Sequence, residues 1–242
     1  MTTGIQWTDE TWHPWKGCHH VSEGCANCYA MRPEFSRGRS PGTVERSLAK
    51  DFTKPVRWRR TLKVFVCSLS DFFHTDADAW RREAWEIMRT TPHIYQITTK
   101  RIERAAGCLP EDWGASWPNV WLGVSVENQR RADERIPILL SIPAAIRWVS
   151  CEPLLESIDL SAYVDQLDWI VTGGESARHN PRRAELDWFR EVRDLCLETG
   201  TAYFHKQHGG ARKFGDAYGG RELDGRTWDQ FPILYEQPLL FC

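Results

Sequence analysis

The sequence predicts an α/β fold, a parallel sheet of about six to seven strands alternating with helices. Three observations predict it. Short apolar, β-branched runs recur along the chain, and each closes in a polar cluster. The runs are continuous rather than alternating, as strands buried on both faces are. Segments with helical spacing of apolar residues lie between them, which is the pattern of βαβ units.

The strand runs are residues 62–71 (LKVFVCSLSD), 93–101 (HIYQITTKR), 119–128 (NVWLGVSVEN), 145–153 (AIRWVSCEP), 167–176 (LDWIVTGGES) and 202–207 (AYFHKQ). A seventh, short strand is expected in residues 4–8 (GIQWT). Residues 76–90 predict a helix with Trp80, Ala84, Ile87 and Met88 on one face and Asp76 as N-cap. Residues 127–142 predict a helix that Pro137 ends or kinks. Residues 184–200 carry an amphipathic stripe of Leu186, Phe189, Val192, Leu195 and Cys196, with Gly200 as the stop. The whole chain, 1–242, reads as one domain. It has a cysteine loop at 13–30, a basic insert at 31–60 and an irregular, Gly-rich C-terminal tail at 208–242, in which Asp224-Gly225 marks a turn.

Thirteen tryptophans must mostly line a core or a binding face. The net charge is −2. Between residues 31 and 63, however, ten Lys and Arg stand against three acids, so this segment carries +7 and the remainder −9. Such a run meets phosphates or forms a solvated surface. The N-terminus lacks the basic and apolar regions of a signal peptide, and no apolar run reaches membrane length. A cytoplasmic protein without a membrane partner is expected. There, eight cysteines read as thiols or metal ligands, not as a disulfide framework.

The densest chemistry lies in WKGCHHVSEGCANCYA, residues 15–30, where Cys18, Cys25 and Cys28 are spaced C-x6-C-x2-C. Thiolates favour zinc or iron–sulfur clusters. Three readings follow. A [4Fe–4S] cluster takes the three cysteines and keeps one iron open. Zinc takes them with one of His13, His19 or His20. Or the thiols are unrelated. Cys67, Cys151 and Cys196 read as structural, and Cys108 and Cys242 carry no signal. Parallel α/β folds place their chemistry at the C-terminal ends of strands. Those ends are polar here: Ser68, Ser70 and Asp71; Thr98, Thr99 and Lys100; Ser125 and Glu127; Glu152; Gly173, Gly174 and Glu175; Lys206 and Gln207. Each could serve singly as a helix cap, but six polar ends together read as a ring around one site.

A cysteine loop near the N-terminus, its last cysteine followed by the aromatic Tyr29 and then by about six βα units, resembles the radical S-adenosylmethionine (SAM) superfamily. CANCYA matches the second half of that superfamily's motif, while the first gap is six residues instead of the usual three. Over nearly its full length the chain resembles a phage-type three-cysteine-motif family of unknown function. The resembling pieces are WTDETWHPWKGC, GCANCYA, SLSDFFH, TKR, GVSVEN, CEPL, GGES and LDGRTWDQFP. The resemblance implies a partial (β/α)6 barrel, a [4Fe–4S] cluster on Cys18, Cys25 and Cys28, and an enzyme that cleaves SAM to start radical chemistry. It implies SAM contacts from Tyr29, Ser70, Asp71, Lys100, Ser125, Glu127, Glu152, Gly173, Gly174 and Glu175. GGES stands at a late strand here instead of the second, so Ser70 and Asp71 compete with Glu175 for the methionine part of SAM.

The basic runs extend this reading to a nucleic acid base or nucleoside as substrate, with Arg57, Trp58, Arg59, Arg60, Arg182 and Arg183 as contacts. Two other readings stand beside it. One is a zinc-stabilised α/β module that binds nucleic acid or a partner protein without SAM chemistry. The other is a Mg²⁺ hydrolase using Asp71, Glu127, Glu152 and Glu175, which leaves the cysteines unexplained.

Overall fold

Seven strands run parallel in one sheet, each hydrogen-bonded to the next in sequence. They are β1 (Glu10–Trp12), β2 (Lys63–Val66), β3 (Ile94–Thr99), β4 (Val120–Ser125), β5 (Ile146–Cys151), β6 (Trp169–Gly173) and β7 (Ala202–Gln207). The computed structural model describes residues 3–31, 42–177, 180–211 and 219–233. Arg32, Arg37 and Arg39 of the basic insert, Arg178, Cys242 and much of the 208–242 tail lie outside the described residues. Among the described residues, no helix is long and apolar enough to cross a membrane.

Side-chain alternation sorts the strand residues onto two faces. Val64, Val66, Tyr95, Ile97, Leu122, Val124, Val149, Ile170 and Tyr203 face one core. The buried stripes of α2 (Asp78–Thr90), α3 (Gln129–Ser141) and α4 (Leu186–Thr199) share that core. A four-residue helix α1 (Ala49–Phe52) adds Phe52 to it. These α-helices thus lie on one side, which is what right-handed crossovers produce when strands are added in sequence. The sheet curls into a half-barrel with the helices outside.

The inner face is layered. Phe65, Trp121, Ile146, Trp148, Trp169, Val171 and Phe204 pack with Trp7 in a second, aromatic cluster in the lumen. One alternation further along, toward the C-terminal ends, the inner positions become Thr98, Ser125, Ser150, Gly173 and Lys206. Apolar rings therefore fill the lower lumen and leave a polar cavity above it.

Several elements depart from the sequence expectation. Residues 4–8 form no strand, and the first strand is Glu10–Trp12. Trp7 enters the lumen instead, where it lies 4.6 Å from Phe65 and 5.4 Å from Trp148 between ring centroids. The cap expected at Asp76 is formed by His74, whose Nδ1 accepts from the Asp76 N–H ahead of a 3₁₀ turn that leads into α2. Pro137 does not break α3. It sits on the exposed face, as does Asp133, whose carbonyl it leaves without a helix partner. Helix α4 follows its predicted bounds closely, with Gly200 beyond its end at φ 80°. The tail covers an edge. Residues 228–230 bond to β7 through His205 N to Trp228 O and Gln230 N to Tyr203 O, which blunts one open side of the sheet. Phe231 stacks on Trp169 in the lower lumen.

Candidate functional site

The cysteine loop lies across the C-terminal ends of the strands and is fastened there at several points. Ser70 donates to Gly17 O at 2.5 Å, and Gly17 N donates to Leu69 O. Gly24 N donates to Glu127 Oε1 at 3.2 Å. A Cβ on Gly24 would lie 3.1 Å from the Glu127 carboxyl, a tight contact that glycine relieves. Asn27 Nδ2 donates to Glu175 Oε2 at 2.7 Å. Arg182 grips the same carboxylate and donates from Nη1 to Glu23 O at 2.9 Å. Two short 3₁₀ turns, Glu23–Cys25 and Tyr29–Met31, curl the loop between these anchors.

Beneath it is a cavity. Cys18, Cys25, Cys28 and Tyr29 line its mouth. Ser70, Asp71, Thr98, Lys100, Ser125, Ser150, Glu152, Gly174, Glu175 and Lys206 form its walls, and Trp7 and Phe65 lie in its aromatic floor. The structure thus brings the three cysteines and most of the expected polar ring to one space.

The carboxylates in this ring have distinct duties. Asp71 is buried, and its two oxygens accept from Phe73 N, Thr99 Oγ1 and Lys100 N at 2.7–3.0 Å. Arg101 Nη1 lies 3.4 Å from Oδ2. Glu127 is fully buried against Arg135, with Oε2 2.8 Å from Nη1. Burial pushes its pKa up. The charges of Lys100 and Arg135, helped by the Ser22 hydroxyl and the Gly24 N–H, outweigh burial and hold it below the usual range. Glu175 follows the same pattern, its burial outweighed chiefly by Arg182. These three acids, expected as ligand or metal contacts, bond protein groups in this structure and so brace the cysteine loop and the strand ends.

Glu152 differs. Its carboxylate projects into the cavity, 2.8 Å from Lys206 Nζ and 3.1 Å from Ser150 Oγ. The pair bridges β5 and β7 and passes over Gly173. A Cβ on Gly173 would come 2.6 Å from Glu152 Oε1, so the glycine expected as a SAM contact makes room for this pair. Gly174 is held by the close approach of the 208–209 backbone. Ser125 Oγ lies 3.2 Å from Thr98 Oγ1 in the cavity wall. Lys100 also lines the cavity, and its side chain has no hydrogen bond among the described residues.

Of the nucleic-acid contacts expected from the basic runs, Arg57, Trp58, Arg59 and Arg60 lie away from this site, whereas Arg182 and Arg183 stand beside it. Residues 54–60 lead into the N-terminal end of β2, opposite the cavity. Trp58 packs edge-on against His93, just before β3, at 5.1 Å, and His93 bonds Pro55 O. Arg57 bonds Thr53 and the Lys50 carbonyl. Arg59 and Arg60 are exposed at this far end. Arg182 is held in the Glu175 anchor, which leaves Arg183 exposed beside it. Charge counting along the sequence placed these groups near a substrate, whereas strand direction places the 54–60 run at the other end of the barrel.

Of the histidines considered as zinc ligands, His13 and His19 have side-chain partners. His13 Nε2 lies 3.5 Å from Ser68 Oγ, and its pKa is lowered by burial to about 3. His20 is exposed. His19 Nδ1 lies 2.7 Å from His74 Nε2. Since His74 Nδ1 accepts from the Asp76 N–H, the neutral His74 ring carries its proton on Nε2 and donates it to His19. His19, His74 and Asp76 have ligand atoms within 4.8 Å of one another. That hydrogen-bond chain occupies both nitrogens of His74.

Cys18, Cys25 and Cys28 all line one cavity, a three-thiolate donor set that fits an iron–sulfur cluster or, with a further ligand, zinc. Burial pushes the Cys18 thiol up to about 11, with the Asp71 charge adding to it and Arg101 opposing. A metal there displaces a proton from that sulfur. Arg101, Asn27 and Ser150 were not singled out in the sequence. Arg101 follows the TTK strand end directly, and that position was its only signal.

No curated protein matches this chain. Among solved structures, a mutant spore photoproduct lyase matches at 12% identity and a TM-score of 0.45. The match covers 76% of this chain and 60% of that one, a likeness too slight to carry an argument about function. The profile of a family described as "Protein of unknown function (DUF5131)" matches residues 2–232, so the chain belongs to that family.

Proposed function

We propose that Cys18, Cys25 and Cys28 hold a [4Fe–4S] cluster and that the protein is a radical-SAM-type enzyme. One observation carries the reading: three thiols stand on an anchored loop over a polar cavity at the C-terminal ends of a parallel half-barrel. When bound, such a cluster supplies the electron that cleaves a carbon–sulfur bond of SAM and starts radical chemistry on a substrate.

The residues of the chain do the rest. Glu127, Glu175, Arg182 and Ser70 hold the loop in place before any cofactor arrives, so the thiols are preorganised. Lys100 and the Lys206–Glu152 pair offer both charges to a ligand with an amino acid group. Ser125 and Ser150 offer hydroxyls on the facing wall, and Tyr29 stands beside the last thiol. The aromatic floor of Trp7 and Phe65 keeps water from reaching the cavity from below. Arg57, Arg59 and Arg60 lie at the opposite end of the barrel and take no part in this chemistry.

The test is the iron, sulfide and zinc content of protein purified without oxygen. About four irons with sulfide, lost in Cys18→Ala, Cys25→Ala and Cys28→Ala, is the expected result, followed by 5′-deoxyadenosine release from SAM under reducing conditions. One tightly held zinc and no iron refutes the reading in favour of a zinc-stabilised binding module.

A further inference from the structure

We infer that Arg101 is a positioning residue for the cysteine-held cluster, one that fixes the sulfur of Cys18 and makes the cluster easier to reduce. The inference rests on the iron–sulfur reading above. Arg101 begins the turn after β3, where its own N–H is tied to Thr99 Oγ1 at 2.8 Å. Its guanidinium forks toward the cysteine loop. Nη1 donates to Cys18 Sγ at 3.4 Å, and Nη2 donates to His19 O at 3.0 Å. The third partner is Asp71 Oδ2, 3.4 Å from Nη1. Asp71 is itself immobilised by the Phe73 and Lys100 N–H groups and the Thr99 hydroxyl. Both residues are buried, Arg101 at 7% exposure and Asp71 at 5%. The fork therefore has no room to swing away from the sulfur.

The consequence is electrostatic. A guanidinium stays charged at any working pH, and in a partly desolvated site its field is screened far less than in water. Reduction adds negative charge to a cluster. A fixed cation and an N–H···S hydrogen bond both favour the reduced form, and both raise cluster potentials. Cys25, by contrast, has its Sγ 3.9 Å from the neutral Ser22 hydroxyl.

The test compares wild type, Arg101→Lys and Arg101→Gln, each purified anaerobically without SAM. Iron and sulfide content are measured first, then the midpoint potential by EPR-monitored redox titration. The expected result is equal iron in all three, with the midpoint lowest in Arg101→Gln and intermediate in Arg101→Lys. Iron lost from Arg101→Gln but kept by Arg101→Lys, at an unchanged melting temperature, also supports positioning. Equal midpoints at equal iron content overturn the role of Arg101 and leave the cluster reading standing. A wild-type protein without iron overturns both.

Discussion

Replacing Glu127 with Gln tests whether the cysteine loop hangs on a buried ion pair. Glu127 is fully buried and Arg135 is 5% exposed, with 2.8 Å between them. Gln keeps the shape and an acceptor for Gly24 N, but it removes the negative charge. The guanidinium of Arg135 then stays inside with the Ser125 carbonyl, at 2.7 Å, as its remaining acceptor. Breaking a buried pair from one side costs roughly 3–5 kcal/mol. The surviving bond to Ser125 places this case near the lower end, about 3 kcal/mol. For a chain of this length that is a fall in melting temperature of about 6 °C. Urea unfolding and calorimetry measure it. Hydrogen exchange should also show faster opening at residues 22–28, because the anchor of Gly24 weakens. The double variant Glu127→Gln/Arg135→Met should recover part of the loss, since it removes the stranded cation. A single Glu127→Gln within about 0.5 kcal/mol of wild type, with unchanged exchange in the loop, refutes the reasoning.

Gly174→Ala should destabilise by about 1–3 kcal/mol, because its Cβ would overlap the His208 carbonyl and the Gly209 backbone, which cannot swing aside as a side chain can; a melting temperature at or above wild type refutes the close approach. Acid should weaken the fold through His205, whose pKa is lowered by burial to about 3 with no acceptor near Nε2 among the described residues. The unfolded chain binds that proton near pH 6.5 and the folded one does not, so stability is full above that pH and declines as pH falls toward 3. At pH 4.5 the loss from this group is about 2–3 kcal/mol, and a His205→Gln variant with the same acid slope between pH 6.5 and 4.5 contradicts it. Arg59→Ala/Arg60→Ala should leave iron content and SAM cleavage unchanged, since both side chains are exposed at the far end of the sheet; a loss of either measured quantity refutes the placement.

Much of the architecture is legible along the chain. The run 202–207 coincides with β7, and the stripe of Phe189, Val192 and Cys196 is the buried face of α4. Hydrophobic spacing records which face of an element is covered, and that is a local property. Cys18, Cys25 and Cys28 could be grouped for the same reason, being close in sequence. The departures share a cause too. GIQWT has the composition of a strand, yet Trp7 fills the lumen between Phe65 and Trp148, which only exists once the sheet has curled. Pro137 is tolerated because its face of α3 meets water.

The sequence by itself determined the parallel α/β order, the thiol trio and the polarity of the strand ends. Only the tertiary structure decided which of those polar groups are bound to one another. Gly24 meets Glu127, Asn27 meets Glu175 and Cys18 meets Arg101 across separations of 103, 148 and 83 residues. Charge partners are set by which strand ends become neighbours, and no periodicity in the chain encodes that. The same rule left Glu152 and Lys206 in the cavity and carried Arg57, Arg59 and Arg60 away from it, because consecutive parallel strands send their starts and their ends to opposite sides of the barrel.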